Sequence, residues 1–399
     1  MNLRHLRAVI HTARLGSISK AAEAVHATQP AVSQAIAGLE RSFDATLFER
    51  RASGAFPTSE GRLVADRGER LFTHLAEAER RILAALPQDT RRPTVQLGRA
   101  VSYSQLLAFA TFARAGSFVA AASRLGLSVP TVHRSARAFE RLAGIPLFEQ
   151  GSHGIALNRL GADVAMRASL ALREIQLIRQ DLDESRGLIQ GMLTIASLPL
   201  MRSYVLPLVL TRLSERHPAA EFSVVEGSYE SLLHALRMGE VDVLLGALWN
   251  PAPAGDVREE TLFDDTLSIV ARAGHPLVER PSLSLADLDG SSWIVPKLGT
   301  PTRDIFEVMR TEGMTLGAPL IETSCFAALR GLLLESNRLA IISRRQIVYE
   351  ERAGLLSALP VPIVGASRPV GLTVRVDWMP TQLARDFVDT MHASTSFDA

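Results

Sequence analysis

Along residues 28–41 the apolar side chains Val32, Ile36 and Leu39 recur at i, i+4, i+7, a spacing that lines one side of a helix. Pro30, Ser33, Gln34, Ala37 and Arg41 fall on the opposite side, which is small, polar and uncluttered. Upstream, Ala21, Ala22 and Val25 give a shorter helix a compact apolar face. Ser17 and Thr28 stand where N-cap hydroxyls belong, and Pro30 suits an opening turn. Between the two segments His26-Ala27-Thr28 leaves room only for a turn, so the pattern predicts a helix-turn-helix. Short outer side chains let such a helix approach a major groove closely, and Gln and Ser bond base edges or phosphate oxygens.

From Arg62 to Leu86 the apolar or small positions Val64, Leu71, Leu75, Ala78, Ile82 and Ala85 fall close to a heptad seam. The small domain before it has little surface to cover so long a helix, and a dimerising linker helix is expected. Pro87 ends it, and Asp89 to Pro93, with Thr90, Arg91 and Arg92, make a polar break.

The chain then repeats itself. Residues 5–61 set ungapped against 105–161 show 17 identities in 57 positions, among them Gly16-Ser17 with Gly116-Ser117, Ala21-Ala22 with Ala121-Ala122, Pro30 with Pro130, Glu40-Arg41 with Glu140-Arg141, Leu47-Phe48-Glu49 with Leu147-Phe148-Glu149, and Gly61 with Gly161. The second copy's helix over Ser128 to Leu142 buries Val132, Ala136 and Phe139 and turns out Pro130, His133, Arg134, Arg137 and Arg141, a more basic face that favours phosphate contact. Gln29 is replaced by Val129, Ser33 by His133, and Arg50-Arg51 by Gln150-Gly151, so the same base readout is not expected. A second seam follows from Ala162 to Ile189, through Ala168, Ala171, Ile175, Ile178, Leu182 and Ile189, and again reads as a dimer helix.

From Met192 strands and helices alternate: Leu193–Ala196, Tyr204–Arg216, Glu221–Glu226, Tyr229–Met238 and Val241–Gly246 read as βαβαβ, hence parallel pairing. Leu267–Arg272, Trp293–Val295, Arg303–Thr311, Leu320–Thr323, Phe326–Glu335 and Ala340–Ile342 suggest a second α/β lobe, with further strands near Leu355–Pro360 and Gly371–Asp377 and a last helix from Thr381.

Leu3-Arg4-His5-Leu6, Gly16-Ser17, Ala21-Ala22, Gln29-Pro30-Ala31-Val32-Ser33, Leu39-Glu40, Leu47-Phe48-Glu49-Arg50 and Thr58-Ser59-Glu60-Gly61 together resemble the winged helix-turn-helix of LysR-type transcriptional regulators. The resemblance implies that Gln29, Pro30, Ser33 and Gln34 lie on a recognition helix and that Arg50 and Arg51 lie in a wing beside phosphates. Most relatives of that type carry one such domain, so the duplication is a departure. Residues 192–395 resemble the effector domain of the same family, itself similar to two-lobed periplasmic solute-binding proteins, through Val205-Leu206-Pro207, Arg216-His217-Pro218, Gly239-Glu240-Val241-Asp242, Phe263-Asp264-Asp265, Gly274-His275-Pro276-Leu277 and Glu322-Thr323-Ser324. Leu198-Pro199-Leu200, Gly299-Thr300-Pro301, Arg330 to Leu334, Ser343 to Gln346 and Gly371-Leu372-Thr373 look most like a subgroup named for the galactose-binding protein regulator.

Charge sharpens this division. Residues 1–92 carry 14 basic and 10 acidic side chains, residues 93–187 carry 11 and 7, and residues 188–399 carry 18 and 25. A positive front thus precedes an acidic back, pointing to a polyanion partner for the front. The apolar share of 47% suffices for several cores, and no apolar run approaches a bilayer span. No secretory start is seen and Cys325 is the one cysteine, which fits a reducing, cytoplasmic setting and reads as a small buried residue. The histidines show no metal-ligand spacing, and neither a Gly-rich phosphate loop nor a Gly-x-Ser-x-Gly elbow occurs; Gly151-Ser152-His153-Gly154 reads as a turn. No cofactor and no enzyme is expected. Trp249, Trp293 and Trp378 read as core or rim packing.

In open parallel sheets ligands gather beyond the carboxyl ends of strands, at helix N-termini. Three segments fit. Ser197 to Arg202, Gly299 to Arg303 and Thr323-Ser324 bring hydroxyls at Ser197, Thr300, Thr302, Thr323 and Ser324, apolar walls at Leu200, Met201 and Leu248, and cations at Arg202 and Arg303 for a small polar or carboxylate effector. Simple N-capping explains each hydroxyl alone equally well.

The expected architecture is a winged helix-turn-helix over 1–61, a linker helix over 62–92, a second such domain over 93–161, a second linker helix over 162–190, and a two-lobed α/β effector domain over 191–399. The expected function is a transcriptional regulator, a homodimer or homotetramer on double-stranded DNA, modulated by a sugar or organic acid. Ser17, Gln29, Pro30, Ser33, Gln34, Arg41, Arg50 and Arg51 are the expected DNA contacts, joined by His133, Arg134 and Arg137. The rival is a cytoplasmic solute sensor whose front half only mediates assembly.

Overall fold

A computed structural model describes residues 1–86, 95, 97–151, 154–249 and 254–395; the expected helix stop at Pro87, the break over 89–93 and the Ser152-His153 turn lie outside them. The chain divides into two compact units at about Gly191. In the first unit, α1 (Leu3–Leu15), α2 (Ile18–Ala24) and α3 (Gln29–Phe43) precede the hairpin β1 (Phe48–Arg51) and β2 (Gly54–Pro57), then the long α4 (Ser59–Ala84). After the short α5 (Leu97–Ala100) the plan recurs as α6 (Tyr103–Ala115), α7 (Phe118–Leu125), α8 (Val129–Ala143), hairpin β3 (Phe148–Gly151) and β4 (Gly154–Leu157), and the long α9 (Arg159–Ser185).

Local chemistry accounts for the match. Ser17 and Ser117 both N-cap, accepting from Lys20 N and Ala120 N, and Gly16 and Gly116 both end the preceding helix in the left-handed conformation. Glu40 and Glu140 each accept a hydrogen bond from the amide of Leu47 or Leu147 at 2.9 Å, tying the end of the third helix of each copy to its hairpin. At the start of each long helix a Cβ on Gly61 or Gly161 would lie 2.0 or 2.1 Å from the carbonyl oxygen of Leu47 or Leu147, so both positions need glycine. The cores have diverged: where the first copy has Val9, Thr12 and Leu39, the second has Phe109, Phe112 and Phe139, with Phe109 stacked on Phe139 at 4.2 Å.

The long helices differ from expectation in their partner. Val64, Leu71, Leu75, Ala78 and Ile82 of α4 and Ala168, Ala171, Ile178 and Leu182 of α9 are buried within one chain, in a single core that runs through both copies. Arg67 meets Asp181 and His74 approaches Glu174, so α4 and α9 run antiparallel. Each seam finds its complement a hundred residues away; of the expected seam positions, Ala85 is exposed and Ile175 and Ile189 are half-buried. Arg67, 1% exposed, spans Asp181 with Nε at 2.6 Å and Nη2 at 3.3 Å, and gives Nη1 to Glu174 at 3.0 Å. Arg70 Nε binds the other Glu174 oxygen at 3.0 Å. Burial pushes the Glu174 carboxyl up, but the His74 hydrogen bond and the charges of Arg67 and Arg70 outweigh it and hold the pKa at about 2.

The second unit is a two-lobed α/β domain. Its elements are β5 (Gly191–Ser197), α10 (Pro199–Arg202), α11 (Val205–Arg216), β6 (Ala220–Val225), α12 (Tyr229–Arg237), β7 (Val243–Ala247), β8 (Val257–Arg272), β9 (Ser292–Val295), α13 (Pro301–Thr311), β10 (Ile321–Glu322), α14 (Phe326–Leu334), β11 (Arg338–Ser343), α15 (Val348–Arg352), β12 (Leu356–Leu359), β13 (Ser367–Arg375) and α16 (Gln382–Thr395). The strands run β10-β9-β11-β8-β13-β7-β5-β6, with β12 also on β8. β5 and β7 are parallel, as the alternation predicted, and β9 is parallel to both β10 and β11. β8 is far longer than expected: residues 257–266 pair with β13 in one lobe, and residues 267–272 pair with β11 and β12 in the other. Ala196, Leu232, Leu236 and Leu244 centre the first lobe's core, while Trp293, fully buried against Phe306, centres one face of the second. Cys325 is a correction: it is exposed, because it occupies the N-cap position of α14 rather than an inward face. No helix among the described residues is long and apolar enough to cross a membrane.

Two outcomes follow. Glu174→Gln leaves two guanidinium groups short of a counter-charge and costs about 3 kcal/mol in urea unfolding. Because the folded pKa lies below the unfolded value, wild type holds this stabilisation above about pH 4.5 and loses it as the pH falls toward 2, whereas Glu174→Gln shows a flatter profile over that window. Gly61→Ala forces backbone apart and destabilises the first copy by about 3 kcal/mol or more, seen as an earlier unfolding midpoint.

Candidate nucleic-acid interface and effector site

α3 presents the expected face. Gln29, Pro30, Ala31, Gln34, Ala37 and Arg41 are exposed and Ser33 is half-buried, while Val32, Ile36 and Leu39 point inward. Thr28 caps the helix by accepting from Ala31 N at 3.4 Å, and Arg41 Nε donates to the Ala37 carbonyl at 3.3 Å. Ser17 is half-buried at the start of α2, its oxygen accepting from Lys20 N at 3.3 Å, so its hydroxyl proton is directed elsewhere. The wing is held against this frame. Ala55 N donates to Gly16 O at 2.9 Å, and a Cβ on Gly54 would lie 2.3 Å from that same oxygen. Arg50 and Arg51 are both exposed on β1; Arg51 pairs with Glu49 at 2.7 Å, a surface contact of small energy that a phosphate can replace.

α8 keeps the geometry and changes the chemistry. Arg134 and Arg141 are exposed, as are Val129 and Pro130. His133 is half-buried with its ring edge-on to Phe118 at 4.7 Å. Arg137 lies over the Phe148 ring at 4.6 Å and binds Glu140 at 2.8 Å, which places it in the scaffold of the second copy. Burial raises the Glu140 carboxyl, but the Arg137 hydrogen bond and the Leu147 and Phe148 amides bring it below the ordinary range.

In the second unit the candidate effector residues separate by what they already bond. Ser197 is fully buried at the end of β5 and donates to the Leu198 carbonyl at 3.2 Å. Leu200 and Met201 are buried in α10, Leu248 is half-buried after β7, and Arg202 pairs with Glu226. Thr300 caps α13, accepting from Arg303 N at 3.4 Å and donating to Lys297 O at 2.9 Å, so its hydroxyl is committed to the turn. Arg303 is committed too: it is buried, with Nε on Glu307 at 2.7 Å and Nη1 on the Pro296 carbonyl at 3.1 Å. Thr323 accepts from Cys325 N at 3.2 Å; Thr302 is half-buried and Ser324 exposed.

The segment that α10 packs against, the 3-10 turn Arg344–Ile347, overlaps Ser343 to Gln346, a stretch that reads from sequence as family-like but not as an effector contact. Beside it the Tyr204 and Tyr349 rings meet at 5.6 Å. At the crossing of β8 between the lobes Ser343 donates to the buried Asp265 at 2.6 Å, and Arg368 approaches the other carboxylate oxygen at 3.8 Å. Burial pushes the Asp265 carboxyl up against the opposing effects of Ser343, Arg368 and Arg345. Phe263-Asp264-Asp265 and Ser343 to Gln346 stood out in the sequence, yet nothing in spacing joins positions 78 apart. Among the described residues no group of three or more His, Cys, Asp or Glu is placed to hold a metal ion.

Comparison with known proteins accords with this layout. The model for the bacterial regulatory helix-turn-helix of the LysR family matches twice, at residues 3–62 and 103–162, and the LysR substrate-binding domain model matches residues 186–396. The chain is 33% identical over 375 residues to the transcriptional regulator GalR of Pseudomonas putida, covering 94% of this chain and 92% of that one. It is 27% identical over 283 residues to the transcriptional regulator PcaQ of Agrobacterium fabrum, covering 70% and 91%. Full-length OxyR from Pseudomonas aeruginosa shares the fold with a TM-score of 0.58 at 20% identity, over 73% of this chain and 98% of that one. With its helix-turn-helix matched in duplicate, the chain belongs to the LysR family of DNA-binding, effector-modulated transcriptional regulators.

Proposed function

We propose that α3 reads promoter DNA through Gln29, Pro30, Ser33 and Gln34, with Ser17, Arg41, Arg50 and Arg51 on flanking phosphates. The exposed outer face of α3, beside a wing fastened to the end of α1, is the observation that carries this reading. In the second copy Arg134 takes the phosphate role with His133 beside it, while Arg137 supports the fold. A sugar or organic acid in the second unit biases the two lobes toward one arrangement and so changes promoter occupancy. Leu200, Arg202, Thr302, Thr323 and Ser324 supply its contacts, with Leu248 as a wall, while the fully buried Ser197 and Met201 shape the end of β5 and α10 from within. Copies assemble as a homodimer or homotetramer in the cytoplasm through surfaces other than the seams of α4 and α9, which each chain covers itself.

Gel retardation of promoter DNA with the full chain checks the first part. Gln34→Ala combined with Arg50→Ala weakens specific binding by about 100-fold, one to three kcal/mol being lost at the base contact and one counterion-releasing contact at the wing. Equal affinity for the variant and wild type refutes the assignment. Calorimetry with candidate sugars and organic acids checks the second: Thr302→Ala with Ser324→Ala weakens the effector about tenfold. Thr300→Ala instead removes a helix cap and lowers stability by about 1 kcal/mol.

A further inference from the structure

The two copies are not beads on a tether. One continuous core includes Leu6 and Val9 of α1, Leu106 and Phe109 of α6, and the seams of both long helices. Between the copies, Leu97 is fully buried, the Arg7 guanidinium donates to the Gly98 carbonyl, and the Gly98 amide donates to Glu79 at 2.9 Å. At the far end of α9, Arg186 donates to the carbonyls of Phe43 and Asp44 in the first copy. Each copy is therefore fixed by contacts that reach into the other's long helix.

The pairing is also close to symmetric. His74 and Glu174 occupy equivalent positions of the hundred-residue repeat and lie side by side at 3.8 Å, so the centre of the antiparallel pair falls between them. An approximate twofold axis there exchanges α4 with α9. The two recognition helices have unlike faces: amide, hydroxyl and small side chains on α3, against Arg134, Arg141, Val129 and Pro130 exposed on α8.

We propose that a single chain is a complete two-headed DNA reader, and that its target is an asymmetric duplex site of two unlike boxes at a fixed helical spacing. α3 specifies its box through polar contacts to base edges. α8 holds the second mainly by phosphate charge, with Val129 and Pro130 suited to thymine methyl groups. A regulator with one reading head per chain must bring two chains together to span two boxes, and both boxes then resemble each other. Here the second head is covalently present and spans the site without a second chain.

The inference rests on the DNA-binding reading of both recognition helices, and the test separates the two. The full chain selects duplexes from a randomised pool, and the selected site is footprinted with wild type and with Arg134→Ala plus Arg141→Ala. Both positions are exposed, and circular dichroism checks that the fold is kept. Expected are two unlike boxes. Protection of one alone is lost in the variant, affinity falls about tenfold or more, and the slope of log affinity against log salt drops by nearly two. Five added base pairs between the boxes turn one by half a helical turn and cost at least tenfold, and ten added pairs restore part of it. Enrichment of two identical boxes, full protection by the variant, or a less than threefold effect of the five-pair insertion overturns the single-chain reader while leaving DNA binding intact. Failure of wild type to select any duplex overturns both readings.

Discussion

A guanidinium shut between two helices is the constraint on which the front half turns. Taking Arg67 out of water costs several kcal/mol unless its donors are satisfied, and Asp181 and Glu174 satisfy them from the opposite helix. The aliphatic seam around it supplies most of the stability at about 2 kcal/mol per buried large side chain, but a seam of Leu, Ala and Ile tolerates sliding. Shifting α9 by one turn would preserve apolar contact but break the pairing of Arg67 with Asp181 and Glu174 together. The ion cluster thus sets register, and register decides where the two helix-turn-helix copies stand. Because both helices belong to one chain, that arrangement does not depend on protein concentration.

Conservation of chemistry within the repeat follows the same division of labour. Positions that hold geometry are shared: Gly61 and Gly161 against a neighbouring carbonyl, Glu40 and Glu140 on the hairpin amides, Ser17 and Ser117 at helix starts. Positions that face outward have parted, with Gln29 and Gln34 answered by Val129 and Arg134. Even the interior shows independent settling, since Phe109, Phe112, Phe118 and Phe139, clustered with Phe148, stand where the first copy has Val9, Thr12, Ile18 and Leu39.

Most of this was legible from periodicity, caps and the hundred-residue echo. The helix-turn-helix read correctly because its signals are local: a hydroxyl before each helix, apolar positions at helical spacing, a turn too short for alternatives. The destination of the long seams was not legible. A heptad stripe states that a partner exists without naming it, and Arg67, Glu174 and Asp181 look like surface charges until the fold brings together positions 107 and 114 apart. Two of the expected effector positions show the same difficulty. Thr300 and Arg303 carry the right groups at a helix start, yet Lys297, Pro296 and Glu307 already occupy them, and such occupancy depends on tertiary contacts. β8 was cut short because its first half, Val257 to Thr266, alternates poorly and is charged along one edge; pairing with β13 rather than intrinsic preference makes it a strand.

The second unit's design limits how strongly a small molecule can act. The lobes share β8, and Asp265 and Ser343 sit where its partners change. An effector held by a few hydroxyls gains about 1 kcal/mol per hydrogen bond, and only the difference between lobe arrangements is available for regulation. Coupling of roughly 1–3 kcal/mol changes promoter affinity some 5- to 150-fold, well short of the roughly 5.5 kcal/mol needed to invert a 99:1 equilibrium. Regulation of this size works only if DNA binding is already poised near half occupancy, a starting point that a second, phosphate-bound head of the kind proposed above would set.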